Sequence, residues 1–294
     1  MGRKKQPRLN DSFYSKYLGH NVNDLKVLEQ FARRKSKPVV WLAGDSTLDN
    51  KFWLLECDKM AKRAPQNLKP VFERKSYCRA DVAYWMNTMN RDRITINTAV
   101  EEATIGRKKK SLNDSDLFIQ EYIREDDTLI VSIGGNDVAH DANLATVLSL
   151  FIIVLLTPML LWPYLTWTPP MIHLDHLFRR DYQKYVEKLI SKTKPKKVIL
   201  CTVYYPDMVA KRTGWASEAL QWLRYDTNPR RLHRFIDMMH DKCTSKIIMP
   251  GTQVEYIPLS LTLNGTATKH YVQRVEPSVM GGKQIARTFS RYLK

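Results

Sequence analysis

The sequence predicts an α/β domain built on a parallel sheet of about five strands, with helices covering both faces. Two observations predict it. Short apolar, β-branched runs recur along the chain and end in glycine or polar residues, and stretches with apolar residues at three- and four-residue spacing lie between them. No internal repeat or low-complexity linker breaks the alternation. The 294 residues therefore read as a domain over 38–294 with an apolar insertion at 142–174, preceded by a basic helical extension over 1–37.

Each element follows in order. Asp24 to Phe31 has helical spacing, and Pro38 to Ala43 is a buried strand that ends in Gly44. Helices are expected over Lys51 to Ala61 and Ala80 to Met89, with Ile94–Asn97 as the second strand. Thr128 to Ile133 and Lys197 to Val203 are the third and fourth strands, separated by a helix over Phe178 to Ile190. Helices over Trp215 to Leu223 and Arg231 to Met239 precede a fifth strand at Thr252 to Ile257. A last helix, Lys283 to Tyr292, follows Gly281-Gly282. In parallel sheets the ligand site lies at the carboxyl ends of the strands.

Three of those ends carry reactive residues. The first runs into Gly44-Asp45-Ser46, which places a serine where a strand passes into a predicted helix. There its hydroxyl can act as a nucleophile and its N–H can face developing oxyanion charge, assisted by the helix dipole. The second strand ends in Asn97-Thr98-Ala99. The third ends in Gly134-Gly135-Asn136-Asp137, where two glycines let backbone approach a ligand and Asn136 offers a side-chain N–H. Asp45 has a ready role as a carboxylate at a helix amino terminus.

In that order, these motifs resemble blocks I, II and III of the SGNH/GDSL hydrolase superfamily, over Val39 to Asp137. The resemblance implies the flavodoxin-like three-layer α/β/α sandwich of that family, with Ser46 as nucleophile. It also implies an oxyanion hole made of the Ser46 N–H, the Ala99 N–H and the Asn136 side chain. The family has glycine at the Ala99 position, and alanine still supplies the N–H.

The last block departs from the pattern. The family has D-x-x-H-P-S followed by glycine and a final helix, whereas this chain has Gln273-Arg274-Val275-Glu276-Pro277-Ser278 before Gly281-Gly282. Glu276 stands at the histidine position and Gln273 at the aspartate position. A serine hydroxyl needs a base poised near neutral pH, and an unperturbed glutamate is a weak one. Three readings follow. Burial raises the Glu276 pKa until it serves as base; or His270 folds back to serve, oriented by Glu276; or hydrolysis is lost and ligand binding kept. Arg274 bears on the first, because pairing with Glu276 would lower that pKa.

Other motifs point away from cofactors. No Walker A or G-x-G-x-x-G sequence is present, and no metal is indicated. His173 and His176 lack a clear third ligand. His20, His140, His233 and His240 read as structural. Cys57, Cys78, Cys201 and Cys243 form no C-x-x-C pair and read as buried thiols.

Charge and the insertion are read together. Lys and Arg number 47 against 30 Asp and Glu, a net charge of +17, in clusters such as Arg3-Lys4-Lys5, Arg33-Arg34-Lys35 and Arg107 to Lys110. No zinc-finger or RNA-recognition signature accompanies them, so an RNA-binding adaptor rests on charge alone. From Ala142 to Leu174 the only polar residues are uncharged, and Leu144–Trp167 is long enough for a membrane span. A crossing would part Ser46 from Glu276, and Pro158 and Pro163 divide the run. It is therefore expected to form a re-entrant hairpin or interfacial anchor beside the pocket, with Trp162, Tyr164 and Trp167 at headgroup depth and Arg179, Arg180 and Lys184 at an anionic surface. The other reading is a buried helix pair. The amino terminus has no apolar secretory segment, the myristoylation pattern fails at Gln6, and cytoplasmic, peripheral or monotopic membrane association is expected. These readings converge on a serine esterase for a lipid-like carboxylic ester, with an acyltransferase or a non-catalytic lipid-binding protein on the same fold as alternatives.

Overall fold

Residues two apart along a strand enter the same layer. The computed structural model, which describes residues 7–54, 62–139, 141–209 and 214–293, shows this alternation sorting the core. Strands β1 (Val39–Gly44), β2 (Ile94–Asn97), β3 (Thr128–Ser132), β4 (Lys197–Thr202) and β5 (Gln253–Pro258) form one parallel sheet in the order β2-β1-β3-β4-β5. Gly44, Ser132 and Cys201 lie level across β1, β3 and β4, so the strand ends form one edge.

The outer layers comprise α1 (Val22–Arg34), α2 (Val82–Met89), α3 (Asp114–Tyr122), α4 (Tyr182–Leu189), α5 (Pro229–Lys242) and α6 (Val279–Tyr292). Val39, Trp41 and Ala43 of β1 pack with α1, α3, α4 and α5, including Leu28, Phe118, Tyr185 and Phe235. Val40 and Leu42 pack on the opposite face with α2 and α6 through Met86, Ile285 and Phe289. The result is a three-layer α/β/α sandwich.

Capping chemistry explains where several helices begin. Asp81 accepts from the Tyr84 N–H at 2.7 Å, and the Ser278 hydroxyl accepts from Met280 and Gly281. Helix α3, which periodicity did not predict, starts with a capping box between Asn113 and Asp116. The helix predicted from Lys51 is not formed over the described residues: 52–54 make a single 3-10 turn, while 55–61, with Cys57, lie outside them. Cys78, Cys201 and Cys243 are buried free thiols.

The insertion packs on the domain. Leu144–Leu150 is α-helical and loosens into a π-helix over Phe151–Leu156, where the Thr157 N–H reaches the Ile152 carbonyl. Pro158 ends that helix, a 3-10 run covers Met159–Trp167, and Pro169–Asp175 leads through another π segment into α4. One side is core, with Leu150, Ile153, Val154 and Leu174 buried, while the other exposes Leu148, Leu156 and Leu160. Trp162, expected at headgroup depth, is 2% exposed and donates to the Thr157 carbonyl, so it is a core residue; Tyr164 and Trp167 are exposed. Among the described residues no helix is long and apolar enough to cross a membrane.

Candidate active site

The chain leaves β1 toward β2 on one side and leaves β3 toward β4 on the other, which opens a crevice between the ends of β1 and β3. The loops after those two strands meet there. Gly44 (φ 131°) permits this, because a Cβ would lie 1.8 Å from the Ser132 carbonyl oxygen. Gly134 (φ 124°) makes the matching bend, where a Cβ would come within 3.0 Å of the Phe178 ring. Asp45 then joins the two loops, accepting from the Thr47 N–H at 3.0 Å and the Gly134 N–H at 3.2 Å. Burial pushes its carboxyl up to about 6 against the pull of those donors.

Ser46 lies in a turn closed by Leu48 and Asp49 N–H bonds to the Asp45 carbonyl. This corrects the expectation of a serine at a helix start: no helix follows it among the described residues, so no helix dipole supports its N–H. That N–H takes no partner among the described residues, which leaves it free for an oxyanion. Asn97 steadies the turn by donating to the Leu48 carbonyl at 2.8 Å.

The final block brings Glu276 to the cavity that Ser46 lines. Val272 and Glu276 pair antiparallel around a tight turn in which Gln273 (φ 51°) and Arg274 (φ 68°) are both left-handed. Asn50, four residues past the serine, donates to the Pro277 carbonyl at 3.0 Å and ties this hairpin to the Ser46 loop. Arg274 turns away, donating to Asp226 at 2.6 Å and to the Asp207 carbonyl at 3.2 Å. The pairing with Glu276 that would lower its pKa is not formed. Glu276 is 2% exposed, Oε1 accepts from the Trp215 indole at 3.2 Å, and Oε2 has no partner. Burial holds its pKa well above the ordinary carboxylate range; the adjacent Ser46 hydroxyl and Trp215 draw it partly back, and the charge of Asp45 pushes it up.

A second carboxylate lies close by. Glu101 is buried, accepts from the Trp53 indole at 3.2 Å and leaves Oε2 without a partner. Burial first, and then the charge of Glu276, raise its pKa strongly. Sequence reasoning missed Glu101, Trp53 and Trp215; the position of Glu101 two residues after Ala99 was the only available signal.

The remaining candidates fall on both sides of the line. Asn136 reaches the site, although its side-chain amide also donates to the Ala103 carbonyl at 3.1 Å. Gly135 lines the same space. Ala99 is fully buried, and its N–H is engaged by Asn97 Oδ1 at 3.2 Å. His270 ends a short turn after Thr268, away from the cavity wall, and its pKa is lowered by burial and by Lys269. His173 and His176 are engaged separately, with Thr146 and Asp181. His20, His233 and His240 bond the Phe13 carbonyl, Tyr225 and Thr202. His140 lies outside the described residues. Among those described, no cluster of three or more His, Cys, Asp or Glu could hold a metal.

Ser46, Asn136 and Glu276 open into a cavity of about 140 Å³. Beyond these polar groups its walls are Leu150, Phe178, Leu220, Phe235, Ile236 and Met239. A polar reactive end and an apolar body are the features of a site that orients one functional group of a hydrophobic molecule.

The sheet order and its covering helices form the three-layer α/β/α sandwich that the motifs imply, with Ser46, Asn136 and Glu276 around one cavity at its strand ends. No protein-family description matches the chain, and no curated protein does. Among solved structures it is similar to a family 3 carbohydrate esterase from Clostridium thermocellum, at 10% identity and a TM-score of 0.37, over 87% of this chain and 94% of that one. It is also similar to an extracellular lipase from Streptomyces rimosus, at 10% identity and a TM-score of 0.40, over 87% of this chain and 99% of that one. A phospholipase A1 from Streptomyces albidoflavus gives 10% identity and a TM-score of 0.40, over 86% and 99%.

Proposed function

We propose that the chain is a serine ester hydrolase for hydrophobic carboxylic esters, with Ser46 as nucleophile and Glu276 as its general base. One arrangement carries this reading: Ser46 and Glu276 line the polar end of the same apolar cavity, and the buried carboxylate keeps one oxygen without a partner. The Ser46 oxygen bonds to the ester carbonyl carbon while its proton passes to Glu276. The Ser46 N–H and the Asn136 amide hold the oxyanion. As the tetrahedral adduct collapses, the alkoxide leaves with the proton from Glu276, and an acyl-enzyme remains. Water, deprotonated by Glu276, attacks that acyl group and releases the carboxylic acid and Ser46.

A glutamate suits this role only when its pKa is raised toward the working pH; burial, with the charge of Asp45, raises that of Glu276, and Arg274, paired with Asp226, does not pull it back. The apolar wall sets the substrate class. A dry cavity of about 150 Å³ takes a six-carbon ring, so this one suits an acyl tail of about six carbons, each buried methylene contributing about 0.8 kcal/mol.

A fluorophosphonate probe and hydrolysis of a soluble hexanoyl ester test the reading. Wild type is expected to be labelled at Ser46 and to turn over the ester. Ser46→Ala is expected to lose labelling and about 10⁴-fold or more of the hydrolysis. Absence of labelling at every pH, with the ester still bound, would establish the non-catalytic lipid-binding alternative instead.

A further inference from the structure

The segments that wall the cavity have a second, outward side. Leu150, Leu220 and Phe235 face the cavity from the insertion, from the helix Ser217–Trp222 and from α5. These three segments are neighbours. Phe151 meets Trp222 with ring centroids 5.8 Å apart, Arg231 of α5 donates to the Val154 and Thr157 carbonyls, and Lys242 donates to the Pro163 carbonyl at 3.1 Å. On the outer side Leu148, Ile152 and Leu156 recur at four-residue spacing on one helical face and are exposed. The 3-10 run adds Leu160 (83% exposed) and Trp167 (87%), and exposed Trp222 lies against Phe151 of the same insertion. Single exposed apolar residues are ordinary on any protein, whereas a contiguous set marks a surface that meets something apolar.

Charge identifies the occupant. The patch itself is uncharged, but α5 along its border carries Arg231 and Lys242 in contact with it. Arg230 and Arg234 are exposed one turn apart on the same helix, and Lys246 is exposed beyond its end, against Asp241 and, on the helix that carries Trp222, Glu218. Pairing two copies through this face would bring two cationic rims together on a chain of net charge +17. An anionic bilayer relieves that repulsion, and exposed Tyr164 and Trp167 suit the level of its headgroups. We propose that this face docks on an anionic lipid bilayer, lying on it without crossing, and so sets the acyl cavity over the source of its substrate. The inference rests on reading the cavity as an acyl site.

Flotation of the full chain with vesicles of phosphatidylcholine, alone or with phosphatidylserine, tests it. Binding is expected to the phosphatidylserine vesicles and to weaken as salt is added. Leu160→Glu with Trp167→Glu is expected to lower that binding at least about tenfold while leaving hydrolysis of a soluble hexanoyl ester unchanged. Ser46→Ala is expected to bind vesicles like wild type, so failure of the esterase reading leaves the docking result legible. The proposal is overturned if wild type binds neither vesicle, if binding ignores phosphatidylserine and salt, or if the double variant binds as before. Light scattering that shows a dimer dispersed by the double variant would overturn it too, making the face a self-association surface.

Discussion

A buried carboxylate at the amino edge of the sheet and two at its carboxyl edge differ in how far their hydrogen bonds are filled. At the amino edge, Asp127 is fully buried and saturated. It accepts from the Val39 N–H at 2.7 Å, the Trp41 indole at 2.9 Å, the Arg124 N–H at 2.9 Å, and both terminal nitrogens of Arg33 at 2.8 and 2.6 Å. At the carboxyl edge, Glu276 and Glu101 each receive one indole N–H and keep one buried oxygen without a partner. A saturated carboxylate fixes geometry, whereas an unsaturated one retains the capacity to take a proton. On the proposed reading, Asp127 serves structure and Glu276 and Glu101 serve chemistry.

Substitutions at each edge are expected to separate these roles. The largest effect on rate after loss of Ser46 is expected from Glu276→Gln, a drop in kcat/KM of about 10²–10⁴-fold with an unchanged unfolding transition. Comparable losses of fold and rate there would break the comparison. At the other edge, Asp127→Ala leaves the buried Val39 N–H and Trp41 indole without an acceptor and Arg33 with only Glu29 and the Tyr122 carbonyl, and is expected to cost about 3–5 kcal/mol in chemical denaturation. The folded fraction should keep wild-type kcat/KM.

The pH profile sharpens the carboxyl edge. In the proposed mechanism Glu276 acts as a base when ionised, and its pKa is raised, so the rate is expected to climb through the neutral range and not near the ordinary value of 4.5. Glu101 ionises only against the charge of Glu276, and its negative charge opposes the oxyanion, which gives a fall at still higher pH. Glu101→Gln is expected to remove that fall and leave the acid limb in place. Because folding raises the Glu101 pKa, the folded state binds more protons than the unfolded one between the two pKa values. Its stability therefore declines as pH rises through that window, and Glu101→Gln is expected to unfold at a higher temperature than wild type at alkaline pH. The smallest effect is expected from His270→Ala, with kcat/KM within about twofold of wild type; a large loss would return the base to His270.

Much of this was legible in the sequence because local chemistry and tertiary structure agree. The β-branched runs became strands within a residue or two of their expected ends, and the glycines after β1 and β3 marked the close approaches. Other features depend on partners distant in sequence. Nothing local says that Arg274 pairs with Asp226, leaving Glu276 unpaired, or that Trp53 and Trp215 each cap a carboxylate. Periodicity gave the insertion an apolar face without saying that Trp162 points inward and Trp167 outward. The helix expected after Ser46 fails over 51–54, where Lys51 is drawn into a buried pair with Asp49 at 2.5 Å.

The central claim, that Glu276 activates Ser46, is tested most directly by the rate of fluorophosphonate labelling at Ser46 across pH in wild type and Glu276→Gln. Wild-type labelling is expected to accelerate through the neutral range, and the variant to label slowly with that acceleration gone. Equal rates and equal pH profiles in the two proteins would contradict it.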